Sequence, residues 1–139
     1  MRKTEQRLWD RMRKHAQAHP KVRLERVENL VGVGIPDVLL ISRGQVAWCE
    51  LKAVPLLPAR KGTRVLGAKG LSVAQRNWHY DWYAHGGMSI ILIGIGAEQL
   101  FAIPGFLADA VNEMSMAELQ KNSITSTWDD FFFQWTEAA

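Results

Sequence analysis

An almost wholly apolar run, Met88 to Ile95, follows a helix-patterned stretch, which itself follows a strand-patterned one. This order constrains the fold more than any other feature of the chain. The run is far below the roughly 20 residues of a membrane span, and it lacks the alternation of a half-exposed strand. It therefore reads as a strand buried on both faces. Ser72 opens the preceding helix, which reaches about His85 and is stopped by Gly86-Gly87. Gln45 to Leu51 reads as the strand before that helix. Strand, helix and strand in this order form a right-handed crossover, which sets the two strands parallel. The expected class is α/β with a mixed sheet.

Upstream, residues 4–18 read as a helix. Glu5, Leu8, Trp9, Met12 and Ala16 share one face of a 3.6-residue period, and Arg7, Arg11, Arg13 and Lys14 lie largely off it. Pro20 closes the helix. Val22 to Glu28 alternates apolar and charged residues as a half-exposed strand does, and Asn29 to Pro36, with Gly32 and Gly34, reads as a loop. Val38 to Ile41, a turn at Ser42-Arg43-Gly44 and the strand from Gln45 read as a hairpin. Downstream, Glu98 to Ile103 reads as a shorter strand nearer an edge. Pro104 fits the first turn of a helix ending near Met114. Ser115-Met116-Ala117-Glu118 forms a capping-box pattern, and Thr127 to Asp130 caps a last helix containing Phe131, Phe132, Phe133 and Trp135. Those aromatics either finish the core or present an apolar dimer surface. The order is αβββαβ, then a fifth strand and two or three small helices. With 139 residues, 47% of them apolar, and six tryptophans, one folded domain is expected over 1–139, with a core at about 4–103 and a helical extension at about 104–139.

The chemistry concentrates on two adjacent strands. Gly34-Ile35-Pro36-Asp37 precedes one and Glu50-Leu51-Lys52 ends the next. Side chains alternate along a strand, so Glu50 and Lys52 share a face, and Asp37 starts the neighbouring strand. Two carboxylates and an amine have no packing use on a sheet of Val, Leu and Ile. A hard divalent cation, which takes oxygen ligands, does use them, and the amine suits water attack on a phosphodiester. His15, His19, His79 and His85 are scattered without zinc-ligand spacing and read as surface residues. Glu5 sits on the apolar face of the first helix, where an acid either finds a partner or cation or simply complements the helix dipole. Gln75 completes a capping box with Ser72, and it also leads the face bearing Trp78 and Trp82, which would aim it at the sheet. Lone Cys49 lies on the strand face opposite Glu50 and reads as a packed thiol; a single cysteine suits a reducing cytoplasm. The N-terminus lacks the apolar stretch of a secretory signal.

Charge is divided along the chain. Residues 1–30 hold nine Lys/Arg and four Asp/Glu, 52–76 hold six Lys/Arg and no acid, and 77–139 hold one lysine and eight acids. The basic part thus contains the carboxylate site, a footprint for a polyanion.

Gly34-x-Pro36-Asp37, Glu50-x-Lys52 and Leu71-Ser72-x-x-Gln75-x-x-Trp78, in this order, resemble the PD-(D/E)XK nuclease superfamily and within it the virus-type replication-repair nuclease (VRR-NUC) family. The resemblance spans about residues 5–95; residues 104–139 match no motif. It implies a restriction-endonuclease-like αβββαβ core. It implies that Asp37, Glu50, Glu5 and the Leu51 carbonyl ligate Mg²⁺, with Mn²⁺ substituting, that Lys52 orients or deprotonates the attacking water, and that Gln75 acts near the scissile phosphate. It implies a DNA endonuclease on branched DNA such as Holliday junctions, working as a homodimer in DNA repair, and a viral or prophage origin with action in the bacterial host cytoplasm. Flapped or ordinary duplex DNA is the alternative substrate, and a non-cutting DNA-binding module of a replication or repair assembly the alternative class. The connection from Lys52 to Gln75 is longer than the family's usual one. Its Arg60, Lys61, Arg64 and Lys69, with Arg76 beyond, are candidate DNA contacts.

Overall fold

The computed structural model describes residues 3–27, 34–58, 60–97 and 99–137. Helix α1 (Lys3–Ala16) leads to strands β1 (Arg23–Arg26), β2 (Val38–Ser42) and β3 (Gln45–Val54). Helix α2 (Val73–Ala84) crosses to β4 (Ser89–Ile95), and β5 (Gln99–Pro104) follows. Three short helices end the chain: α3 (Ala108–Val111), α4 (Met116–Asn122) and α5 (Trp128–Glu137). The sheet runs β1-β2-β3-β4-β5. Its β3–β4 pair is parallel and the other pairs are antiparallel. The parallel pair flanks α2, as the crossover pattern requires. The first part of the loop expected over 29–36, together with Glu28, lies outside the described residues.

Alternation along β4 assigns the two faces. Ile90 and Leu92 join a core with Leu8 and Met12 of α1 and the aromatics of α5. Ile91, Ile93 and Ile95 join a second core with Val65, Leu66, Leu71, α3 and Leu119 of α4. Strand β4 thus buries every residue, which explains its continuous apolar run.

The C-terminal residues finish both layers. Phe131 and Phe132 are fully buried and Trp135 nearly so, whereas Phe133 is 57% exposed. Of the four aromatics weighed for a dimer surface, three are therefore core. Trp128 stacks on Phe132, and His19 of the segment after α1 packs against Phe132. The free edge of β5 is also covered: the Ala102 N–H donates to Ser123 Oγ (2.8 Å), and the Ile124 N–H donates to the Ala102 carbonyl (2.9 Å).

Several expectations need correction. β3 runs three residues past Leu51, because β4 offers it pairing as far as Val54↔Ile95. Pro104 does not begin a helix. It closes β5 opposite Ile90, and a 3-10 turn (Gly105–Leu107) precedes the four-residue α3. Helix α3 stops where Asn112 turns its side chain to the connection, accepting from the Leu71 N–H (2.7 Å) and donating to the Leu71 carbonyl (2.9 Å). That clamp, with Val65 N–H donating to the Met114 carbonyl (3.0 Å), pins the second half of the 52–71 connection, which the sequence presents as patternless. His79 is not a surface residue. It is fully buried on α2, with Nδ1 2.7 Å from Ser89 Oγ, and burial lowers its pKa to about 4, so it is neutral near pH 7.

Candidate active site

The β2–β3 hairpin and α2 bring the motif residues together. Val38 pairs with Cys49, which puts Asp37 beside Glu50. Glu50 pairs with Ile91 and shares its face, the one α2 covers. Asp37 is anchored by its backbone, donating to the Cys49 carbonyl (3.1 Å) and accepting from the Val27 N–H (2.8 Å). Its carboxylate Oδ2 accepts from the Leu51 N–H at 2.9 Å. Sequence reasoning missed this last bond, because a backbone N–H leaves no trace in residue type.

Glu50 is 2% exposed, yet its Oε1 has no hydrogen-bond partner. Its other oxygen, Oε2, accepts a long bond from Gln75 Nε2 (3.4 Å). Burial pushes the Glu50 carboxyl well above the usual carboxylate range, and adjacent Asp37 pushes it further, by its charge and by being close enough to hydrogen-bond a protonated Glu50; Lys52 partly offsets this. A buried carboxylate with an orphan oxygen beside a second carboxylate is a costly arrangement unless a cation joins it. The donors nearby are oxygens. Cys49 points into the opposite core, its thiol pKa raised by burial, and His79 is bonded to Ser89. This donor set fits a hard cation such as Mg²⁺ or Mn²⁺ and not zinc.

Gln75 serves both expected roles at once. Its Oε1 accepts from the Ser72 N–H (2.9 Å) and its N–H donates to Ser72 Oγ (3.1 Å), closing the capping box, while Nε2 faces Glu50. The cap fixes the amide that touches the carboxylate. Trp78, one turn on, packs edge-on against Trp48 of β3, with ring centroids 5.8 Å apart. Lys52 is half-buried two residues beyond Glu50 and has no ion-pair partner among the described residues.

Glu5 reaches this group only through its charge, which raises the Glu50 pKa a little further. It comes from α1 on the opposite face and is the weakest of the influences on Glu50. Among the described residues no three His, Cys, Asp or Glu side chains gather closely enough to hold a metal. The basic residues are dispersed too. Arg60, Lys61 and Lys69 are exposed, Arg64 pairs with Glu113 (2.6 Å), and Arg76 is half-buried on α2 with a buried, unpartnered Nε.

Gly34 couples the two halves of the site. Its φ is +86°, and a Cβ there would lie 2.3 Å from the Ala74 carbonyl oxygen in the first turn of α2. The loop carrying Asp37 thus touches the turn carrying Gln75, backbone to backbone. Gly34→Ala is expected to cost roughly 2 kcal/mol or more, from the left-handed backbone and the displaced helix start. Thermal melting checks the cost.

No family model matches the chain, and no curated protein matches its sequence. Among solved structures it is similar to Hjc, a Holliday junction resolvase from the archaeal hyperthermophile Archaeoglobus fulgidus, with TM-score 0.57 and 12% identity over 93% of this chain and 98% of that one. The chain has that protein's fold. The mixed five-stranded α/β sheet is the restriction-endonuclease-like arrangement that the sequence motifs implied. At this identity the likeness concerns the fold, and the narrower VRR-NUC resemblance has no family-model match.

Proposed function

We propose that this protein is a divalent-cation-dependent DNA endonuclease of PD-(D/E)XK type, of the VRR-NUC kind, acting on branched DNA such as four-way junctions. One observation carries the reading: a buried Glu50 with an unpartnered oxygen beside Asp37, on the strand face shared with Lys52. A surface that only bound DNA would gain nothing from a carboxylate pair facing phosphates.

Asp37 and Glu50 would hold the cation, with the Leu51 carbonyl and Glu5 as further candidate ligands. Bound there, Mg²⁺ or Mn²⁺ supplies charge neutralisation on the phosphoryl oxygens and a nucleophile at neutral pH. The chain's own residues do the rest. The Leu51 N–H fixes the Asp37 carboxylate through Oδ2. Lys52, which has no ion-pair partner among the described residues, would orient the attacking water and stabilise negative charge developing on the phosphate. Gln75 restrains Glu50 through Nε2. The exposed Arg60, Lys61 and Lys69 would engage flanking DNA, with Arg64 and Arg76 as further contacts. Two symmetric cuts on a junction call for two sites, so the reading includes a homodimer. A reducing cytoplasm, where Cys49 stays a thiol, is the matching compartment. Among the described residues no helix is long and apolar enough to cross a membrane.

The test is cleavage of labelled four-way junction, flap and linear duplex in Mg²⁺, Mn²⁺ or EDTA by wild type, Asp37→Asn and Lys52→Ala. The expected result is paired symmetric nicks on the junction, dependent on the cation and lost in both variants with binding retained. Equal residual nicking by all three proteins would remove the enzyme reading.

A further inference from the structure

A cavity lies where α1 meets the ends of β3 and β4. It encloses about 190 Å³ between Thr4, Arg7 and Arg11 on one side and Val54, Pro55 and Gly96 on the other. No Asp or Glu is among its lining residues. Thr4, Arg7 and Arg11 fall at i, i+3 and i+7, one stripe of the helix, next to the stripe of Glu5, Leu8 and Met12. Arg11 Nη2 donates to the Gly96 carbonyl at 3.0 Å, which holds its guanidinium over the strand ends and uses one of five N–H donors. Arg7 is exposed, and neither arginine has a carboxylate partner among the described residues. Other arginines differ: Arg13 pairs with Asp10 (3.2 Å), Arg64 with Glu113 and Arg23 with Glu25.

The close seating of α1 creates this cavity. A Cβ at Gly94 would lie 2.7 Å from Leu8 Cδ1, so the bare backbone of β4 lets the helix settle onto the sheet. The cavity is also the neighbour of the catalytic residues in both elements. Thr4 precedes Glu5, and Val54 follows Lys52 by two residues on β3. Ala53 packs toward the α1 core, so the cavity opens across the sheet from Gln75.

We propose that this cavity takes a backbone phosphodiester of the bound DNA, at a distance from the one that is cut. The proposal rests on the DNA-nuclease reading and adds to it a second anchoring point. Two guanidiniums and a hydroxyl, with no acid among the residues that line the cavity, match the oxygens of a phosphodiester, and the space holds a phosphate but no stacked base pair. DNA would then be gripped on both layers of the sheet: by α1 on one, and on the other by Arg60 and Lys61, which lead into the segment packed on the second core.

The experiment is equilibrium binding of a labelled junction and a labelled duplex in EDTA across a salt series, for wild type, Arg7→Ala, Arg7→Lys and Arg13→Ala. Arg7 is exposed, so its variants should keep the fold, which thermal melting verifies. Arg7→Ala is expected to weaken binding about 5- to 10-fold at low salt and to make the slope of log K against log salt shallower by about 1. Arg7→Lys should restore the slope with part of the affinity, and Arg13→Ala should match wild type. Wild-type affinity and slope in Arg7→Ala would overturn the proposal, as would an equal loss in Arg13→Ala, which would mean a diffuse basic helix. EDTA keeps this readout independent of cutting. An Arg7 effect in a protein that never cuts sinks only the nuclease reading, and a cutting protein without it sinks only the phosphate site.

Discussion

Glu50→Gln is expected to end cleavage and, in cation-free buffer, to raise stability. If Asp37 and Glu50 hold the cation as proposed, loss of one of the two should lower the cleavage rate by roughly 10³-fold or more. The gain in stability follows from the cost of the native arrangement. Glu50 is buried, its Oε1 is orphaned, and Asp37 repels it. A glutamine at this position keeps an acceptor for Gln75 Nε2 and offers Asp37 an N–H donor in place of a charge. Near pH 7 the metal-free variant should exceed metal-free wild type by about 1–3 kcal/mol. Adding Mg²⁺ should raise the melting temperature of wild type and leave the variant unmoved, closing the gap.

The pH dependence has a defined sign. Glu50 has a folded pKa above its ordinary value of 4.5, so the folded state binds the extra proton. Its favourable contribution is complete below that ordinary value and is lost as pH rises through the raised one. The advantage of Glu50→Gln should therefore shrink on acidification, when a protonated Glu50 resembles the glutamine. His79 works in the opposite direction. Its pKa falls from 6.5 to about 4, so its contribution is complete above 6.5 and is lost as pH falls toward 4. Both proteins carry His79, so the difference between their melting curves isolates Glu50.

The largest loss of stability is expected from Phe132→Ala in the last helix. Phe132 has no solvent exposure and stacks against Trp128, with Phe131 edge-on at 5.3 Å. Its removal opens a cavity between α5 and α1 and should cost about 3–5 kcal/mol, a large share of a typical domain's stability. Phe133→Ala next to it should change stability by less than about 0.5 kcal/mol, since that ring is mostly in solvent. Urea unfolding midpoints compare the two. Similar losses in both would mean that α5 packs in another register. A large loss for Phe132 alone makes the C-terminal helices an integral half of the core.

The sheet and the site were legible to different depths. The central parallel pair was readable because Met88–Ile95 is apolar on both faces and a helix separates it from β3. Asp37, Glu50 and Lys52 stood out because charge on a buried strand demands a reason. Gln75 was ambiguous because one amide can cap a helix with its oxygen and touch a carboxylate with its nitrogen, and here it does both. Partners distant in sequence were not readable. Asn112 clamping Leu71, the Leu51 N–H on Asp37 and Ser89 against His79 each depend on a long-range approach that no local pattern encodes. His79 shows the limit well: a lone histidine on an aromatic helix gives no sign that it faces inward until β4 supplies a hydroxyl. That Arg7 and Arg11 have no carboxylate partner among the described residues was equally hidden, since it depends on which acids other elements bring near.

The account depends on Asp37 and Glu50 sharing one cation, and calorimetric titration of Mn²⁺ into the DNA-free protein at pH 7 tests this most directly. Wild type is expected to bind the ion, and Asp37→Asn and Glu50→Gln should each weaken that binding by about 10- to 100-fold or abolish it. Equal binding in all three proteins, or no binding by folded wild type, would contradict it.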